Sequence, residues 1–528
     1  MSLVSLLYLA FKLSVSVRAA DSASAPVVDL GYAQYQGIVD TDLNITAFLG
    51  MRYAAPPTGN LRWQAPTAPS RISGVQEATS NPPQCYQGTF GASPTNPLAP
   101  RDETPVQTED CLFLSVYSPA LNTTELLPTI VWIHGGGYAF GSASGYNGSD
   151  LVEESNREIV VVTIQYRLGL FGFLAGQEVK DGGVLNAGLL DQDFALRWVH
   201  KNIDKFGGDP DRVTIWGESA GAGSVLQHVV AHNGRTEPQL FRAAITSSTF
   251  LPSQYSHNHS IPQTLFNQVA SQAGCNTTDF LNCLRAVDGA SLQDINLSMI
   301  LAGFFGTFTF VPVIDGSFIT QSPTEALAQG KVNGKILLSV TNSNEGVVFV
   351  NQTLEYNVPE FVRELFPLFG VNQSQAVATI YESLGSPLAQ VNAIMGESIF
   401  ICPTYNLLNA FPEDAYKGEY AIPPALHGDD IFYYFPSYTF PGASLSFNNS
   451  AFIDAFTQGF LSFAVHLNPN QKLRASITPA WSTWAPRDTE MVFNRTEGNE
   501  PSIAAAPTLD TLLSRCEFWK SVRNLTAQ

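Results

Sequence analysis

Gly217-Glu218-Ser219-Ala220-Gly221 stands where a β-favouring run, Val213-Thr214-Ile215-Trp216, meets residues with helical apolar spacing, Val225 to Val230. A serine flanked by glycines at a strand-to-helix junction is a candidate nucleophile. The glycines lack Cβ, so strand and helix can pass close beside the hydroxyl, and the helix aims its free N–H groups at whatever the serine attacks. The chemistry would be acyl transfer. It needs a base to take the serine's proton, an acid to orient that base, and N–H donors for the oxyanion that develops.

Each partner can be sought separately. Thr129-Ile130-Val131-Trp132-Ile133 runs into His134-Gly135-Gly136-Gly137, and glycines directly after a strand present backbone N–H groups unobstructed. The expected oxyanion donors are the N–H groups of Gly136, Gly137 and Ala220. Of eight histidines, His427 and His466 lie late enough in the chain to follow both nucleophile and acid. His466 sits in an apolar helical context, Phe463-Ala464-Val465-His466-Leu467, which predicts a packed structural role. His427 lies between Pro423-Pro424-Ala425-Leu426 and Gly428-Asp429-Asp430, a loop from which a side chain can project, and is the expected base. For the acid, Glu345 and Asp315 compete. Glu345 comes just after a strand-like run, Lys335 to Val340, where ligand-binding groups collect in parallel sheets. Asp315, in Pro312-Val313-Ile314-Asp315-Gly316, reads more readily as a turn.

Positioning these groups requires a scaffold, and the chain supplies an alternating pattern. Leu112 to Tyr117, Thr129 to Ile133, Ile159 to Gln165 and Val213 to Trp216 are short apolar runs of buried-strand type, with a helix expected around Asp191 to Val199. Further helices are predicted over Ala451 to His466 and Leu509 to Val522. The pattern predicts an α/β fold: a large, mostly parallel sheet covered by helices on both faces. Residues 30–66 read as a small β-rich entry, and residues 80–110 as a surface loop. No repeat or low-complexity linker divides the chain, so residues 26–528 are expected to form one domain.

The balance of 27 Lys and Arg against 46 Asp and Glu, a net charge of −19, disfavours nucleic acid and anionic membranes as partners. No run after the start has the length of a membrane span, so no stable insertion is expected. Residues 1–25 read as a signal segment: an apolar stretch from Leu3 to Leu13, then small residues at Ala19-Ala20 and Ala23-Ser24-Ala25. Sequons begin at Asn44, Asn122, Asn147, Asn258, Asn276, Asn296, Asn351, Asn372, Asn448, Asn494 and Asn524, which predicts a glycosylated, exported chain. Six cysteines without metal-type spacing are expected as disulfides, and spacing alone leaves about 15 pairings open.

These segments together resemble the type-B carboxylesterase/lipase family, the cholinesterase-like branch of the α/β-hydrolases. The resemblance also runs through Phe48 to Ala54, Glu109 to Leu114, Gln165 to Gly169, Asn186 to Gln192 and Phe206 to Pro210. It implies a Ser219–Glu345–His427 triad acting on carboxylic esters through an acyl-enzyme, with no metal and no organic cofactor. It implies disulfides Cys85–Cys111, Cys275–Cys283 and Cys402–Cys516. Glu218 and Ser247 fall where the family places polar groups near the triad. The Cys85–Cys111 loop is shorter than the lid-bearing loop of the large yeast-type lipases and lacks a tryptophan that could seat choline. The Phe304 to Phe310 run is a candidate wall for an apolar acyl pocket. The expected activity is therefore hydrolysis of a small-molecule or lipid ester. Lipase or sterol-esterase action on long chains is the alternative within the class, and a non-catalytic binding relative the alternative outside it.

Overall fold

The computed structural model describes residues 25–91, 106–121, 125–275, 279–439 and 444–528. The stretch read as a signal segment lies outside them except for Ala25, as do the sequons at Asn122 and Asn276 and residues 92–105 of the first disulfide loop.

Within the described residues eleven strands form one sheet: β1 (Ile38–Asp40), β2 (Ile45–Arg52), β3 (Phe113–Ser118), β4 (Leu127–Ile133), β5 (Val160–Ile164), β6 (Gly208–Glu218), β7 (Ala243–Ser247), β8 (Ile336–Asn342), β9 (Ala415–Tyr420), β10 (Thr489–Arg495) and β11 (Pro501–Pro507). Across the sheet they run β11-β10-β9-β8-β7-β6-β4-β5-β3-β2-β1. Every pair from β5 to β10 is parallel. The edges add β3, β2 and β1 on one side and β11 on the other, all antiparallel. The mostly parallel α/β sheet is thus the observed architecture. Within the β-rich entry at residues 30–66 lie β1, β2 and Gln34–Gln36, the last pairing with Val27–Asp29 and Val75–Glu77 outside that span in a small separate sheet.

Burial explains why the central strands carry short apolar runs. All five residues of β5 are buried, as expected where both faces are covered. Alternate side chains enter two cores. Val131, Ile133, Val162 and Ile215 join the helices α1 (Ala187–Asn202) and α2 (Ala220–Val230) on one face. Ile130, Trp132, Val161 and Trp216 join Phe456 and Phe460 of a later helix on the other. Among the helices between these and the end of the chain are α3 (Cys402–Asn409), α4 (Ser450–His466), α5 (Asp510–Ser521) and the short α6 (Arg523–Thr526). The indole of Trp216 stacks on Phe460 of α4 at 5.4 Å, which seats that helix on the sheet.

The topology already marks a place for chemistry. From β4 the chain crosses to β5 on one side and then returns to β6 on the other, so β4 and β6 flank the point where winding reverses. Crevices for ligands open beyond the carboxyl ends of such strands. β4 ends at Ile133 and β6 at Glu218, immediately before the glycine loop and Ser219.

Two expectations are corrected. His466 is exposed in the last turn of α4 and is not packed in the core. Asn296, counted among the sequons, is fully buried: its Oδ1 accepts from Leu170 N–H at 2.9 Å and its Nδ2 donates to Gln293. No glycan fits there. The three implied disulfides are formed. Among the described residues no helix is long and apolar enough to cross a membrane.

Candidate active site

Ser219 occupies the turn between β6 and α2 with φ 56° and ψ −123°, a conformation that costs a non-glycine residue on the order of 1–3 kcal/mol. The surroundings impose it. Its N–H donates to Ser247 O at 2.9 Å, its carbonyl accepts from Gly223 N–H at 2.8 Å, and the side chain is almost wholly enclosed. A Cβ at Gly221 would lie 2.0 Å from Ile133 O, and one at Gly217 would lie 2.4 Å from Gly221 C. Strand and helix can meet this closely only without those side chains.

The base and acid come from the ends of neighbouring strands. Glu345 follows β8 and His427 follows β9, and His427 Nδ1 lies 2.6 Å from Glu345 Oε2. The carboxylate is fixed from behind: Oε1 accepts from Ser248 Oγ and from Asn342 N–H, both at 2.7 Å. Asn342 Nδ2 donates to Ser248 Oγ and to Asp430 Oδ1, at 3.1 and 3.0 Å. With Oε1 occupied, Oε2 faces the imidazole. His427 Nε2 points toward Glu218, 3.3 Å from Oε1, and Glu218 immediately precedes Ser219. Nε2 has no hydrogen bond among the described residues, so the serine–histidine bond is not formed in this state. Such bonds are commonly loose before substrate is bound.

Charge is concentrated here. Burial opposes an imidazolium at His427, but Glu218, Glu345 and Asp430 together outweigh it and hold the pKa well above the usual histidine value. Burial also pushes the Glu218 carboxyl far above the usual range, with Asp430 and Glu345 adding repulsion and His427 opposing. Asp430 rises to about 6, again chiefly through burial.

The glycine loop lies against the serine. A Cβ at Gly135 would fall 3.0 Å from Ser219 Cβ, and Gly136 and Gly137 have φ of 99° and 61°. Neither N–H has an intramolecular partner among the described residues. Ala220 is the first residue of α2, where a backbone N–H is unpaired within the helix. Beside the loop lies a cavity of about 270 Å³ lined by Phe173, Phe250, Phe304, Phe308, Phe310, Phe349, Phe366 and Phe400. It adjoins the polar groups at two places. Phe308 packs where a Gly137 side chain would stand, and Phe400 and Phe349 contact the His427 ring at 4.5 and 5.0 Å between centroids.

The structure therefore brings together Ser219, Glu218, His427, Glu345, Gly136, Gly137 and Ala220. Asp315 lies in a turn, its carboxylate capping Ser317 and Phe318 N–H groups and binding Asn186. Ser247 takes a different part from a direct contact with the acid. Its hydroxyl accepts from Trp216 Nε1 and donates to Tyr434 Oη, while the hydroxyl that meets Glu345 belongs to Ser248. Ser248, Asn342 and Asp430 are the residues that sequence reasoning missed. The polar run Thr246-Ser247-Ser248-Thr249 after apolar Ala243-Ala244-Ile245 was the available signal for the first of them.

A strained serine at a strand-to-helix turn beside a histidine–carboxylate pair, on this sheet, defines an α/β-hydrolase architecture. Residues 24–519 match the model of the Carboxylesterase family, and the chain belongs to that family. Its fold is similar to the crystal structure of Aspergillus niger EstA, with a TM-score of 0.85 and 32% identity over 96% of this chain and 99% of that one. In sequence it is similar to Carboxylesterase patB of Penicillium expansum, 30% identical over 511 residues, covering 85% of this chain and 89% of that protein. It is also 35% identical over 350 residues to Secreted lipase 1 of Botryotinia fuckeliana, covering 62% and 61% of the two chains. The molecule is a carboxylic ester hydrolase.

Proposed function

We propose that Ser219, His427 and Glu345 hydrolyse an ester of a short or medium acyl chain through an acyl-enzyme. The observation that carries this reading is the 2.6 Å bond from His427 Nδ1 to Glu345, with Nε2 directed to the residue before Ser219. His427 takes the proton of Ser219 as its Oγ attacks the ester carbonyl. Glu345 fixes the tautomer and stabilises the imidazolium. The N–H groups of Gly136, Gly137 and Ala220 receive the oxyanion. The imidazolium then protonates the departing alcohol, and water, deprotonated by the same histidine, releases the acid.

The phenylalanine-lined cavity is the acyl site in this reading. Its phenylalanine walls suit an apolar acyl chain, and a cavity of about 270 Å³ beside the glycine loop is room for one of short or medium length. Hydrolysis of p-nitrophenyl esters from acetyl to palmitoyl tests this. The expected optimum lies at eight carbons or fewer, and an optimum at palmitoyl would move the reading to a lipase or sterol esterase. Ser219→Ala should lower kcat by about 10⁴ to 10⁶-fold with unchanged folding and abolish labelling by a serine-directed phosphonate. Activity retained in that variant would remove Ser219 from the mechanism.

Export is part of the same proposal. Three disulfides favour an oxidising compartment. The likeness to a protein named a secreted lipase and the exposed sequons at Asn44, Asn258, Asn372, Asn448 and Asn524 point the same way.

A further inference from the structure

Residues 397–402 serve two tasks. Ile399 and Phe400 line the acyl cavity, and Phe400 also packs on His427. Glu397, Ser398 and Cys402 are each held by a residue near the end of the chain. Arg515 of α5 grips the Glu397 carboxylate with Nε and Nη2, both at 2.7 Å. Cys516 is disulfide-bonded to Cys402. Beyond α6, the side-chain amide of Gln528 donates to Ser398 O at 2.8 Å and to Leu251 O at 2.5 Å.

That amide joins two walls of the cavity. Leu251 follows Phe250, a lining residue, and its N–H donates to Ile399 O at 2.9 Å. Next to Gln528, Ala527 O accepts from Gln254 N–H, and Gln254 pairs with Gln227 of α2, the helix that begins after Ser219. Gln528 is only 5% exposed, a burial that glutamine tolerates when its amide is satisfied. The segment being held, Glu397–Ile401, is a π-helical turn, an irregular conformation that occurs frequently at functional sites. Side chains that set a binding geometry need such outside support to stay in register.

We propose that residues 515–528 clamp the acyl-cavity wall and set acyl-length preference, with Gln528 as the specificity-positioning residue. The clamp touches no reacting atom and acts through Phe250, Ile399 and Phe400. It rests on the reading of the phenylalanine-lined cavity as the acyl site.

The test is a kcat/KM profile of Gln528→Ala over p-nitrophenyl acetate to decanoate, with the thermal midpoint measured alongside. The octanoate value should fall at least fivefold, mainly through KM, while acetate stays within twofold of the unaltered enzyme. Gln528→Glu should behave like Gln528→Ala, because a carboxylate cannot donate to two carbonyls. Arg515→Lys, which keeps the charge but loses the fork, should shift the profile in the same direction. An equal fall at every chain length, or a profile unmoved in all three variants, overturns the clamp. A profile of the unaltered enzyme with no dependence on acyl length would strike the acyl-site reading itself, a result distinct from failure of the clamp alone.

Discussion

His427 is placed among three carboxylates: Glu345 on Nδ1, Glu218 facing Nε2, and Asp430 behind them. In the proposed mechanism its neutral form is the working base, so the sign of their effect matters. The carboxylates favour the imidazolium and raise the pKa; neutral imidazole therefore appears only as pH climbs through that raised value, and kcat/KM should climb with it. Glu218→Gln removes the carboxylate nearest Nε2. The imidazolium loses a stabilising partner, and the acid limb of the kcat/KM profile should move to lower pH by about one unit or more. A limb that stays in place, or moves to higher pH, would show that Glu218 does not set the base. At this scale the sequence was legible where a motif fixes local backbone, as at Ser219, and where order along the chain left few choices, as at His427. It was silent on Ser248, Asn342 and Asp430, whose parts come from strands that meet only in the folded sheet.

The strands supply positions by ending in the right places. β4, β6, β7, β8 and β9 deliver the glycine loop, Ser219, Ser248, Glu345 and His427 to the carboxyl ends of the central strands. One close joint is β4 against α2, where Gly221 lets the helix approach the carbonyl of Ile133. In Gly221→Ala the new methyl would stand 2.0 Å from Ile133 O and 2.9 Å from His134 O, both backbone atoms that cannot swing aside. Overpacking of this kind costs about 1–3 kcal/mol, and relief by tilting α2 would displace Ser219 from the glycine loop. The variant should unfold at lower temperature and lose most of its turnover; activity and midpoint both unchanged would contradict this account of the joint. Strands built on short apolar runs, β4, β5 and β8, could be read directly from sequence. β9 could not, because Ala415-Tyr416-Lys417-Gly418-Glu419-Tyr420 mixes charge into a buried strand. Lys417 is satisfied by Thr341 and Glu490, and Glu419 by Ser343, partners that belong to neighbouring segments.

At the scale of the whole molecule, the machinery is drawn from segments more than 200 residues apart, and its integrity depends on ties that span long stretches of chain. Sequence alone left the cysteine pairings open; the fold closes loops of very unequal size, with separations of 8, 26 and 114 residues. Constraining the unfolded chain stabilises more as the loop lengthens, about 2–3 kcal/mol for the shortest of these and about 4–5 kcal/mol for the longest. The longest, Cys402–Cys516, also fastens α5 to the segment that carries Phe400 and so bears on the acyl cavity. Cys402→Ser/Cys516→Ser should therefore lower the unfolding midpoint more than Cys275→Ser/Cys283→Ser under non-oxidising-exchange conditions, and only the former should also depress turnover of medium-chain esters. Equal losses of stability, or a larger loss from the eight-residue loop, would refute the ranking by loop size. A change in acyl preference caused by the Cys275–Cys283 replacement would break the link between the long tie and the cavity.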